Sequence, residues 1–173
     1  MIDFLGDKYS VSYVKDFCKI SQIIPKGNRY VHVDTASPLV NIVGGLRVTC
    51  GQPEKYIRTV HVYGRCGAFG YAVEDAHTMP SQLQSLLKDK NIRVVNHGTW
   101  GADDVKILSN LYWDIKEQVI EEGDIVLIYM RYLPYMEQLH QLGVKAFDTT
   151  KEYYEYLKSG GMFYDIPGHM AAE

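Results

Sequence analysis

The sequence predicts a three-layer α/β domain, a parallel sheet with helices on both faces, and two observations predict it. From Tyr56 onward short β-branched runs alternate with runs of helical period. The run Ile125-Val-Leu-Ile-Tyr-Met130 is apolar almost without interruption, as in a strand covered on both faces. Alternation of this kind, with strands this apolar, means a parallel sheet joined by crossover helices. The length of 173 residues with 46% hydrophobic content suits one ordinary domain. Such a chain buries about 70% of the surface it exposes when unfolded, so stability needs neither disulfide nor structural metal.

Residues 1–56 read as an N-terminal extension with limited structure of its own. Ser10 to Ile24 carries Val11, Val14, Phe17 and Cys18 near helical spacing and stops at Pro25. Tyr30-Val-His-Val-Asp34 alternates like a short strand, and Ser37-Pro and Gly44-Gly45 punctuate loops before Leu46-Arg-Val-Thr-Cys50. The α/β domain is expected over residues 57–173. Its first strand runs from Ile57 to Tyr63. A Gly-rich loop follows, then a helix from Met79 to Lys88 with Leu83, Leu86 and Leu87 on one face. A strand at Ile92 to Asn96 precedes a long helix from Asp103 to Val119, on which Val105, Leu108, Leu111, Tyr112, Ile115 and Val119 form an apolar stripe. After Ile125 to Met130 come a short helix at Pro134 to Gln141, a strand at Val144 to Phe147, and a tyrosine-rich helix at Thr149 to Lys158. Ligands bind at the carboxyl ends of parallel strands, which directs attention to the loops after Tyr63, Asn96, Met130 and Phe147.

Charge excludes several partners. The 18 Lys and Arg are scattered among 21 Asp and Glu, giving a net charge of -3 and no basic block for nucleic acid or for an anionic membrane. No apolar run reaches the roughly 20 residues of a bilayer span, and the start Met1-Ile-Asp-Phe-Leu-Gly-Asp lacks a cationic leader, so a cytoplasmic location is expected. Three cysteines, Cys18, Cys50 and Cys66, show no C-x-x-C or zinc-type spacing. Cys18 and Cys50 read as small buried hydrophobes.

Cys66 lies in Val62-Tyr-Gly-Arg-Cys-Gly-Ala-Phe-Gly70, where three glycines within seven residues turn the chain tightly at a strand end. The spacing fits neither nucleotide-binding glycine motif, and no cofactor is expected. His61 sits in a strand and reads as structural. His77 and His97, with Asp75, Asp103 and Asp104, show no metal-ligand spacing, so no metal is expected.

Gly64-Arg-Cys-Gly-Ala-Phe-Gly70, Val73-Glu-Asp75, Thr78-Met-Pro80 and Val94-Val-Asn-His-Gly-Thr-Trp-Gly101 resemble the opening half of an SGNH (GDSL-type) hydrolase, and Phe163-Tyr-Asp-Ile-Pro-Gly-His-Met170 resembles that family's closing block. The resemblance covers Ile57 to about Met170 and implies a flavodoxin-like sheet. It implies an esterase or acyltransferase acting on a small ester or an acylated carbohydrate. Cys66 would be the nucleophile, His169 the base and Asp165 the group that orients it. The backbone N–H groups of Cys66 and Gly101 would hold the oxyanion, with Asn96, Arg131 or Tyr132 standing in for a missing side-chain donor. Arg65 would favour the thiolate, and Trp100, Arg131 and Tyr132 would touch substrate.

The sequence departs from the family in three ways. Cys66 replaces serine, Asp165 and His169 are four apart where three is usual, and the G-x-N-D block reads Arg131-Tyr-Leu-Pro134. These departures keep open an alternative: a catalytically inactive SGNH-like domain that binds a carbohydrate or a protein partner. Residue by residue, a small side chain in a Gly loop, a surface histidine and a turn-initiating aspartate are the plainer readings of Cys66, His169 and Asp165. Tyr153, Tyr154 and Tyr156 read as core and helix surface, or as a sugar-stacking wall. The stretch 57–173 is short for this fold class, and His169 lies four residues from the end, before the helix that usually follows it.

Overall fold

The computed structural model describes Phe17, residues 22–71 and 73–129, and the backbone of 146–148. The chain is a mixed α/β protein. Its elements are strands β1 (Ile23–Lys26), β2 (Arg29–His32), β3 (Ile42–Val43), β4 (Leu46–Arg47) and β5 (Arg58–Gly64), helices α1 (Cys66–Phe69) and α2 (Met79–Leu87), β6 (Ile92–Asn96), α3 (Asp104–Lys116), β7 (Ile125–Tyr129) and β8 (Ala146–Asp148). β1 and β2 form a separate antiparallel hairpin. The other six form one sheet in the order β3-β4-β6-β5-β7-β8.

The sheet is mixed where the sequence predicts a parallel one. β6, β5, β7 and β8 are parallel, but β4 adds antiparallel to β6 through Arg47 and Asn96, and β3 adds antiparallel to β4. Residues read as an extension with limited structure therefore supply an edge of the main sheet. The remaining exposed edge of β6 is covered by glutamines. The buried Gln84 amide donates to Ile92 O and accepts from Val94 N–H, and Gln52 donates to Val94 O. Side chains thus satisfy backbone groups that a neighbouring strand would otherwise pair.

Alternation along the central strands separates two cores. Val60, Val62 and Val94 face α2 with Ala68, Met79, Leu83 and Leu87. Tyr63, Val126 and Ile128 face α3 with Ile107 and Leu111. Helices therefore lie on both faces, and each fully buried aliphatic side chain contributes about 1.5–3 kcal/mol. Helix α2 starts at Thr78, whose hydroxyl accepts from Ser81 N–H, and α3 at Asp103, whose carboxylate accepts from Lys106 N–H. Both are N-caps of the preferred kind.

The buried stripes differ from the apolar ones. Leu86 is 81% exposed and Val105 74%, and Tyr112 and Val119 are exposed too, while Asn110 and Asp114 of α3 are buried. The β1–β2 hairpin explains the second case. Asn110 exchanges two hydrogen bonds with the Tyr30 backbone, and Asp114 accepts from Arg29 at 2.7 Å, so polar side chains face the hairpin. Smaller corrections follow the hydrogen bonds. Ile57 is 83% exposed and β5 starts one residue later, and Ile23 and Ile24 belong to β1 rather than to a helix. Cys50 is half-buried, with its N–H on Ser81 Oγ. Cys18 and the expected helices at 134–141 and 149–158 lie outside the described residues. Among the described residues no helix is long and apolar enough to cross a membrane.

Candidate functional site

β5 is the centre of the site because the chain leaves it in both directions across the sheet. The next parallel strand, β6, lies on one side of β5 and the one after, β7, on the other. At such a switch in strand order the connections diverge and leave a crevice at the carboxyl ends. β5 ends there at Gly64. A Cβ on Gly64 would lie 2.3 Å from Tyr129 O and 2.7 Å from the Ala68 Cβ, so only glycine lets the chain turn into α1 this close to β7. The stretch expected as a loop is thus a single helical turn, with Cys66 as its first residue, half-buried. Gly67, one residue on, lies against the Tyr129 ring. Gly70 ends the turn in the left-handed region at φ +83°, donating to Cys66 O at 3.0 Å.

The segment after β6 forms the facing wall. His97 N–H donates to Val62 O and Thr99 N–H to Gly64 O, both at 2.8 Å, so the chain runs on beside β5 after the strand ends. Gly98 meets the backbone of α1 directly: a Cβ there would lie 2.2 Å from Phe69 N and 2.5 Å from Ala68 C. Backbone cannot yield as a side-chain tip can. Gly98→Ala is therefore expected to destabilise the protein by about 1–3 kcal/mol or more by separating loop 97–101 from α1. Chemical denaturation measures it, and an unchanged midpoint would contradict this packing.

Each residue singled out from the sequence can now be placed. Asn96 ends β6 fully buried, its Oδ1 accepting from Gly98 N–H at 2.8 Å and its Nδ2 facing Phe69 O at 3.5 Å. It ties the loop to α1, and both ends of its amide are engaged. Gly101 is exposed at φ +77° with open space where a Cβ would point. Trp100 stacks on Tyr71 at 5.2 Å and meets Phe17 edge-on at 5.9 Å, so part of its surface is packing. Arg65 is exposed, and its guanidinium lies 3.9 Å from the Asp104 carboxylate. The positive charge beside Cys66 is thereby partly balanced. Arg131, Tyr132, Asp165 and His169 lie outside the described residues.

Several residues that shape the site carry little signal in the sequence. Arg47 is buried and spans from β4 to the far end of α1. Its Nε donates to Asp75 at 2.9 Å, and its Nη atoms donate to the carbonyls of Phe69, Gly70 and Val73. Its plane also lies 5.0 Å from the Phe69 ring centre. Asp75 in turn accepts from the Asn41 N–H and side-chain amide. His32 accepts the Trp100 N–H at its Nε2, 3.1 Å away. No motif marks Arg47 or His32, since each serves contacts distant in sequence; only the Tyr30-Val-His-Val alternation hinted at His32.

Beneath the loop lies a polar chain on the α3 face. His61 and His97 meet ring to ring, and Tyr63 stacks on His97 at 4.4 Å. Burial, then the neighbouring Asp114 charge, pushes the Tyr63 hydroxyl well above its ordinary range. Among the described residues no group of three His, Cys, Asp or Glu is placed to hold a metal ion. In comparisons with known proteins, no family model and no curated protein matches the chain.

Proposed function

We propose that the protein is an SGNH-type esterase or acyltransferase that takes an acyl group from a small ester or an acylated carbohydrate onto Cys66. One observation carries this reading: Cys66 opens the turn at the carboxyl end of the central parallel strand, at the switch in strand order. The parallel strands, in chain order β5, β6, β7 and β8, lie in the order 2-1-3-4, which supports a flavodoxin-like arrangement. Helices on both faces support the three-layer form of that fold.

The chemistry follows from a thiol at that place. His169 takes the Cys66 proton and the sulfur attacks the ester carbonyl, forming a C–S bond. The C–O bond then breaks, and the proton passes from the imidazole to the departing alkoxide. Water or an acceptor hydroxyl completes the cycle by attacking the thioester, giving up its proton to His169 and releasing the thiolate. Backbone N–H groups of Cys66 and Gly101 receive the developing oxyanion. Asn96 acts in this scheme by fixing the loop. The roles of His169 and Asp165 rest on the resemblance of Phe163–Met170 to the closing block of the family. A cytoplasmic setting, where thiols are kept reduced, suits such a nucleophile.

A binding role without turnover is the second reading, and the engaged Asn96 amide favours it, because that side chain is not free to replace the lost donor. Rapid mixing with p-nitrophenyl acetate separates the two. The enzyme reading expects a burst of one nitrophenolate per protein followed by slower turnover. A folded protein with neither phase supports the binding reading.

A further inference from the structure

The polar chain on the α3 face takes no part in the proposed acyl transfer, and its hydrogen bonds can be counted. His61 Nε2 lies 3.1 Å from Asp124 Oδ2, His61 Nδ1 lies 3.0 Å from His97 Nε2, and His97 Nδ1 lies 3.3 Å from Asp114 Oδ2. An ionised carboxylate only accepts, so both outer ring nitrogens must carry a proton. The inner contact joins two ring nitrogens and needs one proton between them. Three protons on four nitrogens exceed by one what two neutral imidazoles bring.

The extra proton has two alternative homes, and both carboxylates resist it. Asp124 accepts the N–H groups of Thr59 at 2.8 Å and Glu121 at 3.1 Å; Asp114 accepts Arg29 Nε at 2.7 Å and the Tyr63 hydroxyl. Burial works against both anions, yet these donors and the histidines hold both below the ordinary carboxylate range. We infer that His61 and His97 hold one shared excess proton between two carboxylates, a buried positive charge that braces loop 97–101 from below. The other charged groups facing it are Arg29, paired with Asp114, and Glu117 at the outer end of Arg29. His97 also makes the first of the two backbone bonds that run the loop along β5, to Val62 O, so the brace and the wall of the candidate site are one segment.

The pair makes stability depend on pH in two directions. Burial, and then the charge on His97, lowers His61 to about 4 from an ordinary 6.5, so the second excess proton enters only in acid. Between these values the unfolded chain binds more protons than the folded one, and stability rises with pH. Above about 6.5 the unfolded histidines are neutral while the folded pair keeps its proton, so stability falls as pH rises. The fall approaches about tenfold in the folding equilibrium constant per pH unit and ends where the shared proton leaves.

Nitrogen-15 spectra of the histidine rings test this in the full chain, with a readout that does not depend on whether Cys66 accepts an acyl group. Slightly above neutral pH, three N–H groups are expected on the four ring nitrogens of His61 and His97, and two would overturn the inference. Asp124→Asn supplies the second measurement: an amide nitrogen in place of Oδ2 donates to His61 Nε2, so two neutral imidazoles satisfy every ring contact, while the exposed Glu121 N–H loses its acceptor. That variant is expected to show two ring N–H groups and to lose the alkaline fall in stability. A third N–H that persists in it would equally overturn the inference.

Discussion

Arg47→Ala is expected to lower the unfolding free energy by about 3–5 kcal/mol, because it removes one partner of a buried ion pair and leaves the other uncompensated. The arginine side chain is 0% exposed and Asp75 9%, so water cannot replace the lost donors without opening the fold. Three carbonyls, those of Phe69, Gly70 and Val73, lose their guanidinium partner in the same step. Because these carbonyls end α1 and begin the loop after it, the loss should be felt at Cys66 as well. Removing the charge from both sides at once, with Arg47→Met and Asp75→Asn together, should cost less than the sum of the single changes, because neither charge is then left alone. Urea titration of wild type, Arg47→Met, Asp75→Asn and the double variant measures the cycle, and of Arg47→Ala the single loss. A loss below about 1 kcal/mol for Arg47→Ala would contradict this role.

Cys66→Ala should abolish ester turnover, by at least roughly a thousandfold, while leaving the fold intact. The side chain is half-buried at the first position of α1, where alanine fits and suits a helical turn. Cys66→Ser should retain a slow rate, since a hydroxyl is much harder to ionise than a thiol. His169→Ala should slow acylation at neutral pH, with recovery at alkaline pH as the thiol ionises unaided. Steady-state rates with p-nitrophenyl acetate, compared over a range of pH, measure all three. Full activity in Cys66→Ala would remove the nucleophile from the account.

Much of the scaffold was legible where local pattern and burial coincide. β6 runs from Ile92 to Asn96 as its residues suggest, and β7 starts at Ile125, because both are apolar segments inside the sheet. The helix expected from Asp103 begins one residue later, at Asp104, with Asp103 as its N-cap. The buried stripe of α3 differs from the one its periodicity predicts, because periodicity assumes an apolar partner, whereas the β1–β2 hairpin offers Arg29 and the Tyr30 backbone to Asp114 and Asn110. β3 and β4 were hidden by their length: two residues each give no periodic signal, and their place is fixed by Arg47, an unexpected residue for a core. At the site, the glycines of 64–70 are legible as turn-forming residues, and the loop after Asn96 as the end of a parallel strand. Which backbone each glycine would meet is not, since Gly64 answers to Tyr129 and Gly98 to Phe69 across the fold.

The most direct test of Cys66 as an acyl acceptor is a peptide map of the intact chain quenched in acid soon after mixing with p-nitrophenyl acetate. One acetyl group per protein is expected, carried as a thioester on the peptide containing Cys66, with Cys50 unmodified. Acetyl groups spread over lysines, or placed on Cys50 while Cys66 stays unmodified, would contradict it.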